Sequence, residues 1–365
     1  MITFHAPAIE RHDWSEALAS VPLAAEWDEL ADRTGGMPWV RPGWVAAWWR
    51  AFGRGRLELL AARRGGRLAG LLPLERRGGR VASPTNPHSP GFCLLAEDDT
   101  VRRALADALM RGRTRRVTLG YLAADGSGAG AGLDESLQAA RAAGRLLVTR
   151  PMLRSPYIRI EGDWPAYTEV VGAHKLSEMR RRRRRLERLG KLAVDLQDGR
   201  EQLDELLAEG WRVEASSWKG ERGSAVASHA GTREFYGAVA RWAAARGWLR
   251  LAFLRLDGQP LAFDYGIETN GVHYLLKTGY DPAWRTYGPG VLLRHEMIAR
   301  AFTLRLERYE LLGADDPWKA DWTDTAHQLT ALRVFSRSPA GLAGWAAWAH
   351  GRPAAKRLLI ALGRR

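Results

Sequence analysis

The 365-residue chain has one cysteine, Cys93, and only six lysines, and its nine histidines are scattered. A single thiol cannot close an intramolecular disulfide. Without Cys-x-x-Cys or His-x-x-His spacing there is also no ligand pattern for a zinc site. No stretch approaches the ~20 apolar residues of a membrane span, and the first ten residues lack the basic-then-apolar order of a secretion signal. These absences lead us to expect a cytoplasmic protein of a reducing compartment, without a resident metal. No convincing Gly-x-Ser-x-Gly turn or Cys-His pair is present, which argues against a covalent acyl-enzyme.

What is present is 46% hydrophobic and 26% charged residues, the balance of a globular chain long enough for two domains. Fifty-five basic residues against 41 acidic ones give a formal net charge of +14. A potential of that sign favours an acidic partner: nucleic acid, an anionic membrane surface, an acidic carrier protein or a phosphorylated cofactor. Two segments hold most of the excess. Residues 180–185 are six consecutive arginines, and the tail after Ser336 carries Arg337, Arg352, Lys356, Arg357, Arg364 and Arg365 with no acidic residue.

Helical periodicity is expected over 22–33, and again around Trp44, Val45, Trp48, Trp49 and Phe52, which share one face. Strands are expected over 57–62 and 67–74 around Arg64-Gly65-Gly66, a hairpin signal. A strand over 116–122 and a helix over 133–143 follow. Residues 126–132 alternate glycine with small residues in the outline of a dinucleotide turn. The acidic residue wanted ~20 positions onward is missing, so they read as a surface loop. His88, in Asn86-Pro87-His88, reads as a turn histidine.

The second half repeats this pattern. Residues 249–264 align without gaps on 57–72 at a constant offset of 192, placing Arg255 on Arg63 and Gly258 on Gly66. That spacing is too long for a solenoid and points to two copies of one domain. A strand over 271–279, a helix over 291–302 and a strand over 307–312 are expected next. Residues 353–362 read as a short basic amphipathic helix, suited either to an anionic lipid surface or to docking on the protein itself.

The most informative stretch is Arg285-Thr286-Tyr287-Gly288-Pro289-Gly290, between a strand and a helix. Two glycines allow a tight turn with room for a ligand, and the opening N–H groups of a helix lie at its positive dipole end. Such a turn is an anion cradle, to which Arg285 adds a guanidinium. Arg-x-x-Gly-x-Gly in this context resembles the pyrophosphate turn of the GNAT acyltransferase superfamily. With Trp44 to Phe52, the two hairpins, Leu312-Gly313 and Trp318-Lys319, the chain over roughly 25–335 looks like the tandem-GNAT proteins of CelD/BcsL type.

The resemblance implies an α/β (α+β) fold of two tandem GNAT-like domains, each a mixed central sheet flanked by helices. The first half, lacking the turn motif, would be degenerate. Expected boundaries are 1–155, 156–336 and a basic tail at 337–365. It also implies acetyl-CoA, a longer acyl-CoA or an acyl carrier protein as co-substrate rather than a permanently bound cofactor. Lys277 and Thr278 would lie on the strand that pairs with the pantetheine arm. Arg285, Gly288, Gly290, and the N–H groups of Val291 and Leu292 would meet the phosphates. The acceptor would be an amine or hydroxyl of a small molecule, peptide or saccharide. The family's association is with exopolysaccharide synthesis, though nothing in these residues recognises a sugar.

Direct attack on a thioester needs a proton acceptor near the cleft. Candidates are Glu214, in Glu214-Ala215-Ser216-Ser217-Trp218-Lys219, and Asp264, which breaks an apolar strand and would have a raised pKa unless paired. Lys319, with Asp315 and Asp316, follows the last strand's carboxyl end, where open α/β sheets place ligands. Within the arginine run, like charges repel by a few tenths of a kcal/mol per i,i+4 pair, so counter-charges are expected nearby. The run also looks like the basic helix of Fem-type aminoacyl-tRNA ligases. This keeps open a tRNA-dependent ligase, and, with the tail, a non-catalytic protein lying on a membrane surface.

Overall fold

The computed structural model describes residues 7–13, 21–124, 131–216, 226 and 229–351. In chain order the elements are β1 (Ala8–Asp13), α1 (Val21–Arg33), α2 (Pro42–Phe52), β2 (Arg56–Arg64), β3 (Arg67–Arg77), β4 (Arg80–Ala82) and β5 (Leu95–Ala96). There follow α3 (Asp99–Arg111), β6 (Arg116–Ala123), α4 (Leu133–Ala142), β7 (Leu146–Arg159), α5 (Trp164–Val171) and α6 (Ala173–Glu187). Then come β8 (Leu192–Gln197), α7 (Leu203–Ser216), α8 (Ala230–Ala245), β9 (Leu249–Leu256), β10 (Gln259–Thr269) and β11 (Val272–Tyr280). The series ends with α9 (Pro289–Thr303), β12 (Arg308–Glu310), β13 (Ala326–Phe335) and α10 (Pro339–Ala346).

The chain divides into two compact units, one of Met1–Arg154 with His327–Arg365 and one of Ser155–Ala326. In the first, the strands run β1-β2-β3-β4-β6-β13, with β5 beside β3. Its core joins Leu60 and Leu72 of the hairpin to Leu105 of α3, Leu119 of β6 and Leu332 of β13. The tryptophan stripe of α2 is inside as its spacing predicts, with Trp44, Val45 and Trp48 buried. Where the sequence places 327–336 in the second domain, the structure pairs β13 antiparallel with β6 in the first unit. The start of the tail rests on this unit too: Trp345 Nε1 donates to the Leu147 carbonyl at 3.3 Å, and the Arg333 guanidinium covers the Trp348 ring. The basic residues from Arg352 onward, like Gly126 to Gly130 and Ser217 to Lys219, lie outside the described residues.

In the second unit, residues of β7 from Tyr157 pair with β12, and the order continues β11-β10-β9-β8. Helices α7 and α9 pack against β10 and β11. Gly210 lets α7 approach closely: a Cβ there would lie 2.3 Å from Phe263.

The repeat holds in three dimensions. Each unit contains the run strand, two helices, three strands, helix, strand, from β1 to β6 in the first, where the two-residue β5 is inserted before α3, and from β8 to β12 in the second. The offset of 192 carries the register with it, so that the hairpin pair Arg64↔Arg67 becomes Leu256↔Gln259. The parallel pair Arg80↔Arg116 likewise becomes Val272↔Arg308. The ion pairs repeat as well. Arg63 joins Glu10 of β1, Glu26 of α1 and the Gly66 carbonyl, while Arg255 joins Asp195 of β8, Glu209 of α7 and the Gly258 carbonyl. Each arginine ties a hairpin to the strand and the helix that open its copy of the repeat.

Candidate active site

The site lies in the second unit, where two parallel strands come apart. β11 and β12 pair only from Val272–Arg308 to Tyr274–Glu310. Beyond that point Leu275 to Tyr280 on one side and Leu311 to Ala314 on the other line a cleft of about 540 Å³. The far edge of β11 is occupied by β10 as far as Tyr280, while among the described residues no strand pairs with its cleft edge beyond Tyr274. An extended ligand can add there as a strand would.

At the mouth, residues 282–287 form a turn of 3₁₀-helix and α9 begins at Pro289, two residues before the position the sequence suggests. Proline at the first helical position has no N–H to lose and its fixed φ suits the helix. Gly288, the N-cap, is left-handed at φ 61° and offers no side chain to cap the helix. The N–H groups of Val291 and Leu292 both donate to the Gly288 carbonyl at 3.1 Å. Leu292 is also buried in the core. The expectation that these two N–H groups face a phosphate therefore needs correcting, because the N-cap carbonyl takes them as the first intrahelical bonds. Among the described residues the Gly290 N–H has no recorded acceptor, and Gly290, Val291 and Arg285 all line the cleft.

A residue the sequence reading did not assign joins them. Arg182, from the arginine run on α6, extends over the turn, its Nη1 2.3 Å from where a Cβ on Gly288 would stand. Its Nε and Nη2 donate to Glu178 at 3.1 and 2.5 Å. Arg185 of the same helix lies 4.8 Å over the Tyr287 ring. Among the described residues the cleft is lined by five cations, Arg182, Lys277, Arg285, Arg294 and Lys319, against Asp316 and Asp321.

The three candidate catalytic residues fall in different places. Asp264 is paired in register with Thr278, so both face α9, where the fully buried Arg294 donates to Asp264 at 2.7 Å and to Thr278 at 3.2 Å. Arg294 also donates to the Tyr309 hydroxyl at 2.5 Å. Burial works against the guanidinium charge, yet Asp264 and Tyr309 hold its pKa above the ordinary value. Arg294 borders the cleft; Asp264 stands behind it.

Glu214 lies against the other face of β11. A Cβ on Gly279 would meet its Cα at 2.5 Å, and its Oε2 accepts from the Val226 N–H at 2.8 Å. Lys277, on the same face, places its ammonium 4.8 Å over the ring of Tyr236. Burial, and then the charge of Glu214, raise the Tyr236 pKa and keep its hydroxyl protonated. Lys319 is buried at the cleft rim, donating to the Leu312 and Ala314 carbonyls at 2.5 and 2.6 Å with Asp316 at 3.4 Å. It fixes the loop after β12.

The same region of the first unit is closed. At the offset of 192, Asp98 stands in the place of Gly290, and its carboxylate caps α3 by accepting from the Val101 N–H at 2.9 Å. Phe92 bridges to Leu122 beside β6 and is buried with Leu94. The helix start already holds an anion of the protein's own.

Comparison with known proteins bears on the fold. Residues 173–320 match the sequence model of the Acetyltransferase (GNAT) domain, a stretch containing the wedge, the turn and α6. Among solved structures the chain is similar to FemX, with a TM-score of 0.57 at 13% identity over 87% of this chain and 96% of that one. It is also similar to the C-terminal domain of a protein described as a lysylphosphatidylglycerol synthetase from Agrobacterium fabrum. There the TM-score is 0.53 at 12% identity, over 89% of this chain and 95% of that one. At such identities the likeness is one of fold. A search of curated sequences finds no relative of the chain.

Proposed function

We propose that the chain is an acyltransferase that moves an acyl group from a phosphopantetheine thioester, carried by coenzyme A or by a carrier protein, to an amine or hydroxyl. The observation behind this reading is the wedge between β11 and β12 with an uncapped, glycine-turned helix start at its mouth. The arm extends along the open edge of β11 past Lys277 and Thr278, and its phosphates meet Gly288, Gly290, Arg285 and Arg182. Glu214, on the opposite face of the same strand, takes the proton as the acceptor attacks the thioester carbonyl. The new C–N or C–O bond forms, the C–S bond breaks, and the thiolate leaves to be protonated. The enzyme's part is alignment and proton transfer. The narrower likeness to CelD/BcsL-type proteins extends this reading to a saccharide acceptor.

Calorimetric titration with acetyl-CoA and a long-chain acyl-CoA tests it. Micromolar binding is expected, weakened about 100-fold or more, roughly 3 kcal/mol, in Gly290→Trp, whose indole fills the cradle. Wild-type binding no tighter than millimolar would remove the coenzyme from the reading.

A further inference from the structure

The arginine run is sorted by the helix that carries it. Arg182 and Arg183 face inward, Arg182 bonded to Glu178 and Arg183 to Glu187 and Glu296. At 100° per residue, Arg180, Arg184, Arg188, Arg181 and Arg185 follow one another across about 140° of the outer face. All five are exposed, and none has an ion-pair partner among the described residues. His174, Ser177 and the small Ala173 share that face; Glu178 and Glu187 flank it at about 20° beyond either edge, and it has no aromatic or large apolar side chain. Resting on the acyltransferase reading above, we propose that this face docks a small acidic protein that presents the acyl group as a thioester on its phosphorylated arm.

The stripe sits at the cleft mouth. Helix α6 packs on residues 282–287, with Arg185 over Tyr287 and Arg182 at Gly288. From Arg180 to Arg188 it runs about 12 Å, too long for the single phosphate at the root of such an arm. That phosphate is served by Arg182, Arg285 and the start of α9. Five further guanidiniums match a row of carboxylates on a protein surface, which they would steer and orient. Stacking of single-stranded bases needs aromatic rings and insertion into a bilayer needs large apolar side chains, and the face carries neither between Arg180 and Arg185. A phosphate backbone or an anionic membrane surface would draw on the same charges, and the tRNA and vesicle arms of the test separate them.

The test measures affinity for two donors of the same acyl group, its coenzyme A thioester and an acidic carrier protein charged with it. Wild-type protein is compared with the variant Arg180→Glu/Arg184→Glu/Arg188→Glu and its glutamine counterpart. We expect carrier affinity to fall at least about tenfold in the glutamate variant and less in the glutamine one, with the salt dependence of binding reduced. Acyl-CoA affinity should stay within about twofold, which also shows the variants to be folded. Unchanged carrier affinity, or an equal loss for both donors, overturns the proposal. If the wild type binds acyl-CoA but no carrier, the docking face is wrong and the acyltransferase reading stands. If it binds neither, both fall. Loss of tRNA or phosphatidylglycerol-vesicle binding in the glutamate variant, with carrier affinity intact, assigns the face to that partner and refutes ours.

Discussion

Asp264 shows what one residue reveals before its surroundings are known. Its sequence context, an acid interrupting Leu261-Ala262-Phe263, marks it as unusual. Burial there demands either a raised pKa or a partner. The partner is Arg294, 30 positions later on α9, and no local pattern announces it. An arginine in a helix of mixed composition reads as solvated until the helix is laid across β10 and β11. The pair is buried on both sides, 2% exposed each. Removing one partner leaves an uncompensated charge, at a cost of about 3–5 kcal/mol. Asp264→Asn and Arg294→Gln should each lower the unfolding free energy by that order in denaturant titrations. The double variant should lose less than the sum of the two. If Asp264 were instead the proton acceptor, Asp264→Asn would abolish turnover with stability intact.

At the level of elements, the local motifs were legible and the long-range ones were not. The donor turn is six consecutive residues, the hairpins are two-residue glycine turns, and the tryptophan stripe is a matter of period. All are written in neighbouring positions. The direction of the first-turn N–H groups of α9 was misread, because Pro289 moves the helix start and so gives Val291 and Leu292 to the Gly288 carbonyl. The counter-charges required by the arginine run were foreseen, but only one of the three, Glu296, lies outside α6. Arg182 as a cleft residue could not be seen: the period set by Met179 and Leu186 turns Arg182 and Arg183 inward, but nothing local says that Gly288 lies there. The contrast between α3 and α9 gives a prediction at this scale. Asp98→Ala should cost about 1 kcal/mol by removing the cap of α3, read as a lower unfolding midpoint. Acyl-CoA affinity should not change, because the cradle belongs to α9.

For the whole molecule, the repeat was visible as one gapless hairpin alignment, and the register shows it to embrace strands, helices and ion pairs. The course of the chain between the units was not visible, because β13 reads like any amphipathic strand and its partner β6 lies some 200 positions earlier. Yet this strand decides how the two units depend on the chain. Leu332 and Val334 are fully buried and Leu329 nearly so, all in the core of the first unit. Losing Leu332 alone to alanine would cost about 2–5 kcal/mol. Cutting the chain after Ala326 removes all three and strips β6 of a neighbour, so the damage should fall on residues 7–154, far away in sequence. Limited proteolysis of the truncated protein should digest that region first and leave 155–326 protected. Acyl-CoA affinity should persist, since every described residue lining the cleft lies between Arg182 and Trp322. Protection of the first unit without β13 would show the strand to be dispensable. Loss of donor binding with 155–326 still folded would show that the cleft needs more than its own unit.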